Sequence, residues 1–402
     1  MKNDYKALIV GGGASGLMCA IELLRAKNSL LGSQILILEK NDRVGKKLIA
    51  TGNGQGNLTN ANLNEQFFHG DNAFIKEFIQ LEKDINIQKY LTEIGIPLVT
   101  AEDGKIFPIS KQANAVLDIL RAYLTSKGCN IVTDSKVEKV VYDKNQFKVF
   151  STTGTYLAKN LVLAFGGSAG KQFGTDGTSY SLATDFGHKL TKLYPSLVQL
   201  KTDLSCIRGL KGLKERAKVV AMDNGTVLKE CVGDLLFTEY GVSGNSIFSL
   251  SSYLTNCKNP SVKIEFLPQF TEKQLETLLT ERQALDYIDK QDMLVGIVNK
   301  KIGQAILKTC KDIAPKTIAR ALKNFTLTVT GTLGFNNAQV TKGGIVTDQI
   351  NPRSMQSKLV KNLYVIGEAL NVDGDCGGYN LTFAFVSAIA CAKNIKSSIS
   401  ED

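Results

Sequence analysis

Histidine, paired cysteines and long apolar runs are what this sequence lacks. It holds two histidines, His69 and His188, and eight cysteines with no CxxC pair, which argues against a zinc site. MKNDYKALIV at the start has no basic segment followed by a long apolar one, so no secretory signal is read and a cytoplasmic location is expected. The cysteines are then expected to be reduced and mostly buried as small hydrophobes. The longest apolar stretch toward the end, LTFAFVSAIACA at 381–392, is too short and too mixed to span a bilayer, so no membrane partner is expected. GGSAGKQ at 166–172 does not fit GxxxxGK[ST], which excludes a P-loop there, and no GxSxG supports a serine hydrolase.

What remains is an ordinary globular mix, with 43% hydrophobic and 21% charged residues over 402 positions, enough for two or three domains. The net charge is +10, and residues 189–342 carry 22 Lys and Arg against 14 Asp and Glu. A polyanionic partner or a plain solvated basic face would each give that excess.

The first chemistry-bearing pattern is local. KALIV (6–10) is a short apolar run ending in GGGASG, a helical pattern follows from Ala14 to Leu24, and QILIL (34–38) ends at Glu39. This reads as a βαβ unit with GxGxxG at its turn. Gly11 permits the tight turn, Gly13 lets backbone approach a pyrophosphate, and Gly16 lets the helix pack on the sheet. Ala14 and Ser15 then lie in the first helical turn, whose positive end faces the phosphates. Glu39 is placed to accept from ribose hydroxyls, with Lys40 beside it.

The loop behind it, GKKLIATGNGQGNLTN (45–60), is rich in Gly and Asn and has no cysteine pair, so a flavin disulfide reductase is not expected. Gly45, Lys47, Thr51, Gly52, Asn53, Gly54 and Asn57 are its candidates for lying against a flat ring or a pyrophosphate. Further Gly-rich turns after apolar runs offer Gly166 and Gly167, then Gly367 and Glu368, with Glu368 placed for ribitol hydroxyls. GDCGGYN (374–380) precedes a final helix and offers Gly377, Gly378, Asn380 and Leu381. Val137, at the start of a strand-like run, completes the cofactor set. So many backbone approaches suit a long ligand, FAD in preference to NAD. The poverty of reactive side chains makes sense if the cofactor supplies the chemistry. Cys376 reads either as a buried small residue or as a proton donor, with Tyr379 the other candidate donor. His188 reads as lying at a helix end.

Helical periodicity covers 71–94, 112–127, 177–187 and 271–323. A hairpin is expected at 136–151 around Asp143-Lys144-Asn145, and another around Asn224-Gly225. Residues 197–266 read as short alternating strands. These give an FAD-binding first part at 1–190, a β unit at 191–268 with 324–340, a helical insert at 269–323, and a returning FAD-binding part at 341–402.

GGGASGL, LEKNDRVGKKLIATGNG, GTDGTSYSLATDFGH, AQVTKGGI and LYVIGEALNVDGDCGGYNL together resemble the BaiN/RdsA-type (YhiN-like) family of NAD(P)/FAD-dependent oxidoreductases, over nearly the whole chain. The resemblance implies an α/β fold, a glutathione-reductase-type FAD-binding Rossmann-like domain interrupted by a β-barrel and an α-helical insert. It implies non-covalent FAD, NADH or NADPH as reductant, and reduction of an activated C=C bond. In the family that bond is a uracil of large-subunit ribosomal RNA, giving dihydrouridine, or a steroid enone. Gln55-Gly56 stands where relatives often have Arg-Cys, Phe165 where Thr is usual, and NLTFAF where NLQWAW is usual. RGLKGLKERAK (208–218), with five basic residues and one acid, favours ribosomal RNA as partner. A small enone and a non-catalytic, flavin-containing RNA-binding factor are the alternatives.

Overall fold

The computed structural model describes residues 4–25 and 29–400. It divides into two compact units, Met1–Tyr194 with Val340–Asp402, and Pro195–Gln339.

The first unit is built on a seven-stranded sheet. Strand β1 (Asp4–Val10), helix α1 (Ala14–Leu24) and strand β2 (Ile35–Leu38) form the βαβ unit. β1 lies parallel between β2 and the strand Gly154–Leu163, and β2 pairs in parallel with Asn130–Val132. The four residues of β2 are all buried, as expected of a parallel strand covered on both faces. The other edge of Gly154–Leu163 is divided. Its first half pairs antiparallel with Gln146–Ser151, and Leu161–Leu163 pairs in parallel with Leu363–Val365. The returning chain thus adds a strand to the sheet built by its first part. The C-terminal helix Tyr379–Ser400 packs against α1.

The second unit is a closed antiparallel barrel. Its strands run in the order Leu200–Thr202, Gly241–Ser243, Thr226–Phe237, Lys214–Asp223, Pro260–Phe266 and Phe325–Thr332, the last pairing with the first. Closure leaves no open sheet edge. Helices Glu272–Gln283, Lys300–Thr309 and Pro315–Lys323 share one hydrophobic core with it, in which Phe266 and Phe325 meet edge to face.

Both hairpin turns form where expected. Lys144 and Asn145, and Asn224 and Gly225, all have positive φ, the backbone that two-residue hairpins with native strand twist demand. Other expectations are corrected. The helix expected at 71–94 is two helices, Asn72–Ile85 and Ile87–Glu93, broken at Asn86 (φ 52°), whose side chain accepts from Lys89 N–H at 3.1 Å and starts the second. The stretch 177–187 holds only Thr178–Tyr180 as a 3-10 turn and Ser181–Thr184 as one helical turn. The expected short strands of 197–266 include two of 10 and 12 residues, because the barrel wall gives the hairpin partners along its length. Among the described residues no cysteine is in a disulfide, but only Cys19 and Cys391 are buried and the other six are half-buried. His188 follows the helical turn and is 3% exposed, its Nε2 2.8 Å from Ser357 Oγ. Burial lowers its pKa. Among the described residues no helix is long and apolar enough to cross a membrane.

Candidate flavin site

The GxGxxG turn places its glycines as the chemistry requires. Gly11 has φ 108°, and a Cβ there would run into Ala164 O, just past the end of the neighbouring strand. A Cβ on Gly16 would collide with Gly11 O, so the third glycine is needed for the helix to sit on its own turn. A Cβ on Gly13 would meet nothing within 4 Å. Gly13 therefore serves no packing purpose within the protein and leaves open space at the start of α1. No side chain caps α1 and no acid lies in its first turn, so its N-terminal dipole faces that space uncompensated. Ala14 and Ser15 begin the helix, and Ser15 is 7% exposed.

Glu39 lies at the end of β2, 7% exposed. Its Oε2 accepts from Gly12 N–H at 2.8 Å, and its Oε1 accepts from the backbone and side-chain amides of Asn41 at 2.8 and 2.7 Å. The carboxylate is fixed at the Gly turn with acceptor capacity left over. Gly45 N–H donates to Gly12 O at 2.8 Å, tying the following loop to the same turn. Lys40 reaches Asp176 at 3.2 Å.

Thr51–Gly54 carries the bare stretch. Gly52, Asn53 and Gly54 have φ of 57°, 54° and 85°, three successive left-handed residues, all exposed. Only Gly and, less readily, Asn tolerate such a run, which explains the composition. Thr51 Oγ1 donates to Leu48 O at 2.7 Å, and a Cβ on Gly54 would meet nothing within 4 Å.

A second group joins residues far apart in sequence. Lys47 Nζ donates to Glu368 Oε2 at 2.7 Å and to Ala169 O at 3.1 Å. Glu368 Oε1 accepts from Thr341 N–H at 2.8 Å, and Thr341 Oγ1 accepts from the N–H groups of Ser168 and Ala169 at 2.8 and 2.9 Å. A Cβ on Gly167 would strike Thr341 Oγ1, and Gly166 has φ 80°. Gly367 lies against Ser15, where a Cβ would come 2.7 Å from Oγ. Thr341 was not anticipated, since nothing in AQVTKGGI marks it as the tie between two Gly turns.

A third group surrounds the entry to the C-terminal helix. In the amide orientation that satisfies both ends, Asn57 donates to Thr59 O and accepts from Gly378 N–H, each at 3.1 Å. Asn60 donates to Gly377 O at 3.0 Å, and Thr382 Oγ1 donates to Thr59 Oγ1 at 2.8 Å. Asn380 clamps Gly374, accepting from its N–H at 2.8 Å and donating to its carbonyl at 2.7 Å. Asn60, Thr59 and Thr382 were missed, though Thr59 and Asn60 lie within the expected loop. Leu381 is partly buried on the core, and Val137 opens its strand with a 7% exposed side chain, so only backbone is offered there. Tyr379 is 4% exposed, stacks on Phe67 at 4.7 Å, meets Phe68 edge-on, and donates to Asn62 O at 3.3 Å. Burial, then Asp375, raises its pKa, so its hydroxyl holds its proton. Cys376 is half-buried between Asp375 and Gly377.

One carboxyl here lacks a partner. Asp373 is 2% exposed, and its Oδ2 has no hydrogen-bond partner among the described residues. Burial pushes its pKa up from 3.8 to about 6, with Asp375 and Glu368 adding to the rise and His69 and Lys342 opposing it. A carboxyl raised in the folded state is a stability contribution present below pH 4 and lost as pH rises through about 6. The shift corresponds to at most about 3 kcal/mol. Asp373→Asn should therefore stabilise the flavin-free protein at pH 8 and leave it unchanged at pH 4, read by urea unfolding at the two pH values. Equal effects at both would show that the carboxyl does not titrate this way.

The sequence profile of the HI0933-like protein Rossmann domain matches residues 5–394. The chain belongs to the HI0933-like family. It is 33% identical over 396 residues to the 3-dehydro-bile acid delta(4,6)-reductase of Clostridium scindens, covering 94% of this chain and 96% of that one. It is 28% identical over 413 residues to the ribosomal RNA dihydrouridine synthase of Haemophilus influenzae, covering 98% and 99%. The fold is similar to 3-ketosteroid-delta4-(5alpha)-dehydrogenase of Rhodococcus jostii (TM-score 0.50, 13% identity, 97% of both chains) and to quinol fumarate reductase FrdA of E. coli (TM-score 0.51, 14% identity, 99% of this chain and 70% of that one). This HI0933-like chain is an oxidoreductase of the FAD-dependent, Rossmann-domain kind. Its residues fit FAD. The open space at Gly13 and Gly54, the uncapped start of α1 and the orphaned Asp373 oxygen are features that a bound polar ligand explains and packing does not.

Proposed function

We propose that the protein uses NADH or NADPH to reduce an activated C=C bond, through FAD held by the residues above, and that its substrate is a uracil of large-subunit ribosomal RNA. Gly13, Ala14 and Ser15 would hold the pyrophosphate, Glu39 the adenosine ribose, and Glu368 with Lys47 the ribitol. Gly52–Gly54 and Gly377–Gly378 would line the ring. The bound flavin would supply hydride transfer, and the protein orients it and excludes water. A cytoplasmic setting follows from such a substrate.

The observation that carries the RNA reading is the basic strand face in the second unit, with the turn that leads into it. Arg208, Lys211, Lys214 and Arg216 are all exposed, and Lys214, Arg216 and Lys218 share one face of their strand. Lys211 pairs with Glu239, and Lys214 and Lys218 pair with Asp234 and Glu230 at 2.8 Å. Exposed pairs are worth about 0–1 kcal/mol and can be exchanged for phosphates. Arg208 and Arg216 form no salt bridge among the described residues. Mapping dihydrouridine in large-subunit ribosomal RNA with and without the gene tests the substrate, a site that disappears with the gene being expected. Arg208→Glu with Arg216→Glu should lower the slope of log affinity against log salt by about 2, roughly one for each phosphate that is no longer neutralised. RNA affinity that ignores salt would sink the reading. A small enone is the second reading, favoured by the 33% identity to the bile acid reductase. Turnover with enones and an unchanged dihydrouridine map would establish it.

A further inference from the structure

Reduction of a C=C bond by NAD(P)H takes up one proton per turnover. One carbon receives a hydride with its electron pair from the NAD(P)H-reduced cofactor, and the other receives a proton. That proton must come from solvent, across a site whose lining is mostly glycine and asparagine. Tyr379 is buried against two phenylalanines and holds its proton, which leaves it poorly suited to the task.

The structure offers another route. Phe68–Gly70 pairs antiparallel with Val372–Gly374, and His69 lies directly opposite Asp373. Residues so paired share one face of the ribbon, with Cβ atoms about 5 Å apart. His69 Nε2 lies 2.8 Å from Asp375 Oδ1, and Asp375 N–H donates to Phe67 O at 2.8 Å. The three side chains form a gradient from water inward: His69 is 18% exposed, Asp375 9%, and Asp373 2% as a residue. Lys342 and Glu368 face the same carboxyl from outside this ribbon, and Asp375 and Cys376 face Tyr379. Asp375 leads directly into Cys376, Gly377 and Gly378, the turn assigned to the flavin. A metal does not account for the cluster, since no group of three such side chains among the described residues could hold one.

We infer that His69 and Asp375, with Asp373 behind them, are the relay that carries the reaction's proton from solvent to the flavin site. His69 takes a proton from water and passes it inward, and Asp375 fixes the imidazole through Nε2. The exchange leaves each group as it began, so one solvent proton is consumed and nothing else changes. Burial pushes the Asp373 pKa up to about 6 and His69 opposes that rise, so the charges of the two groups are coupled. The inference rests on the proposed C=C reduction for its purpose, but not on which substrate is reduced.

Two measurements on the flavin-loaded protein test it. With only two histidines in the chain, ring-13C histidine NMR resolves His69 from His188. The His69 signal should shift as the Asp373 carboxyl titrates at about pH 6 in the wild type, a step absent from Asp373→Asn. Identical curves in the two proteins would overturn the coupling, whatever the substrate. In rapid mixing, His69→Ala should keep its flavin and be reduced by NAD(P)H at the normal rate. Its reoxidation by RNA or an enone should slow about 100-fold, the lower range for loss of a general acid, and added imidazole should partly restore it. Reoxidation at the wild-type rate would remove His69 from the path. If the wild type is reoxidised by neither substrate, the proposed activity fails and the relay loses its reaction with it.

Discussion

Gly13→Asp should fold normally and lose its FAD. The expectation combines two facts. A side chain at Gly13 has open space within 4 Å, so the folded protein accommodates it. That space lies at the uncapped N-terminus of α1, where a pyrophosphate is expected. A carboxylate about 4 Å from a phosphate costs about 4 kcal/mol at an effective dielectric of 20, which weakens binding about 1,000-fold. Gly16→Ala separates the two roles of the motif. Its Cβ would collide with Gly11 O, so it should lower the melting temperature of the flavin-free protein. Flavin absorbance after purification and thermal unfolding of the stripped proteins read both effects. A yellow Gly13→Asp protein, loaded like the wild type, would break the assignment of the glycine turn to FAD.

How much of this was legible depended on distance along the chain. β1, α1, β2 and Glu39 lie within 36 residues and declare themselves by periodicity and by glycines at fixed offsets. The hairpin turns at Lys144-Asn145 and Asn224-Gly225 did likewise, because positive φ restricts residue choice at a single position. The break at Asn86 used the same chemistry, an asparagine in left-handed conformation that also caps a helix, but it was hidden in a continuous apolar period. The ties that assemble the site leave no local trace. Thr341 meets the 168–169 turn across more than 170 residues, and His69 meets Asp375 across 306. A threonine or histidine in a strand carries no sign of its partner. The acids flanking Gly374 were visible as DGD, but nothing near them in sequence announced that both are buried and that one is paired with a histidine.

The buried pair between α1 and the C-terminal helix predicts the largest loss of stability. Lys396 is 7% exposed and Glu22 4%. Lys396 Nζ donates to Glu22 Oε1 at 2.7 Å, to Glu22 O at 2.8 Å and to Arg25 O at 2.9 Å. Tyr90 O–H donates to Glu22 Oε2 at 2.8 Å, and burial, then the carboxylate, keeps that hydroxyl protonated. Arg25 stacks on the Tyr90 ring at 4.5 Å. Lys396→Met removes the cation, leaves a buried carboxylate with one hydroxyl donor, and takes one donor from each of the carbonyls of Glu22 and Arg25. Breaking such a pair from one side costs about 3–5 kcal/mol, a large share of the roughly 5–15 kcal/mol that holds a domain together. Adding Glu22→Leu should recover much of the loss, because the charge left behind, more than the missing attraction, sets the cost. Urea unfolding of both variants measures the two steps. If Lys396→Met costs under about 1 kcal/mol, the pair behaves like an exposed one, and the C-terminal helix is held to α1 by its apolar face alone.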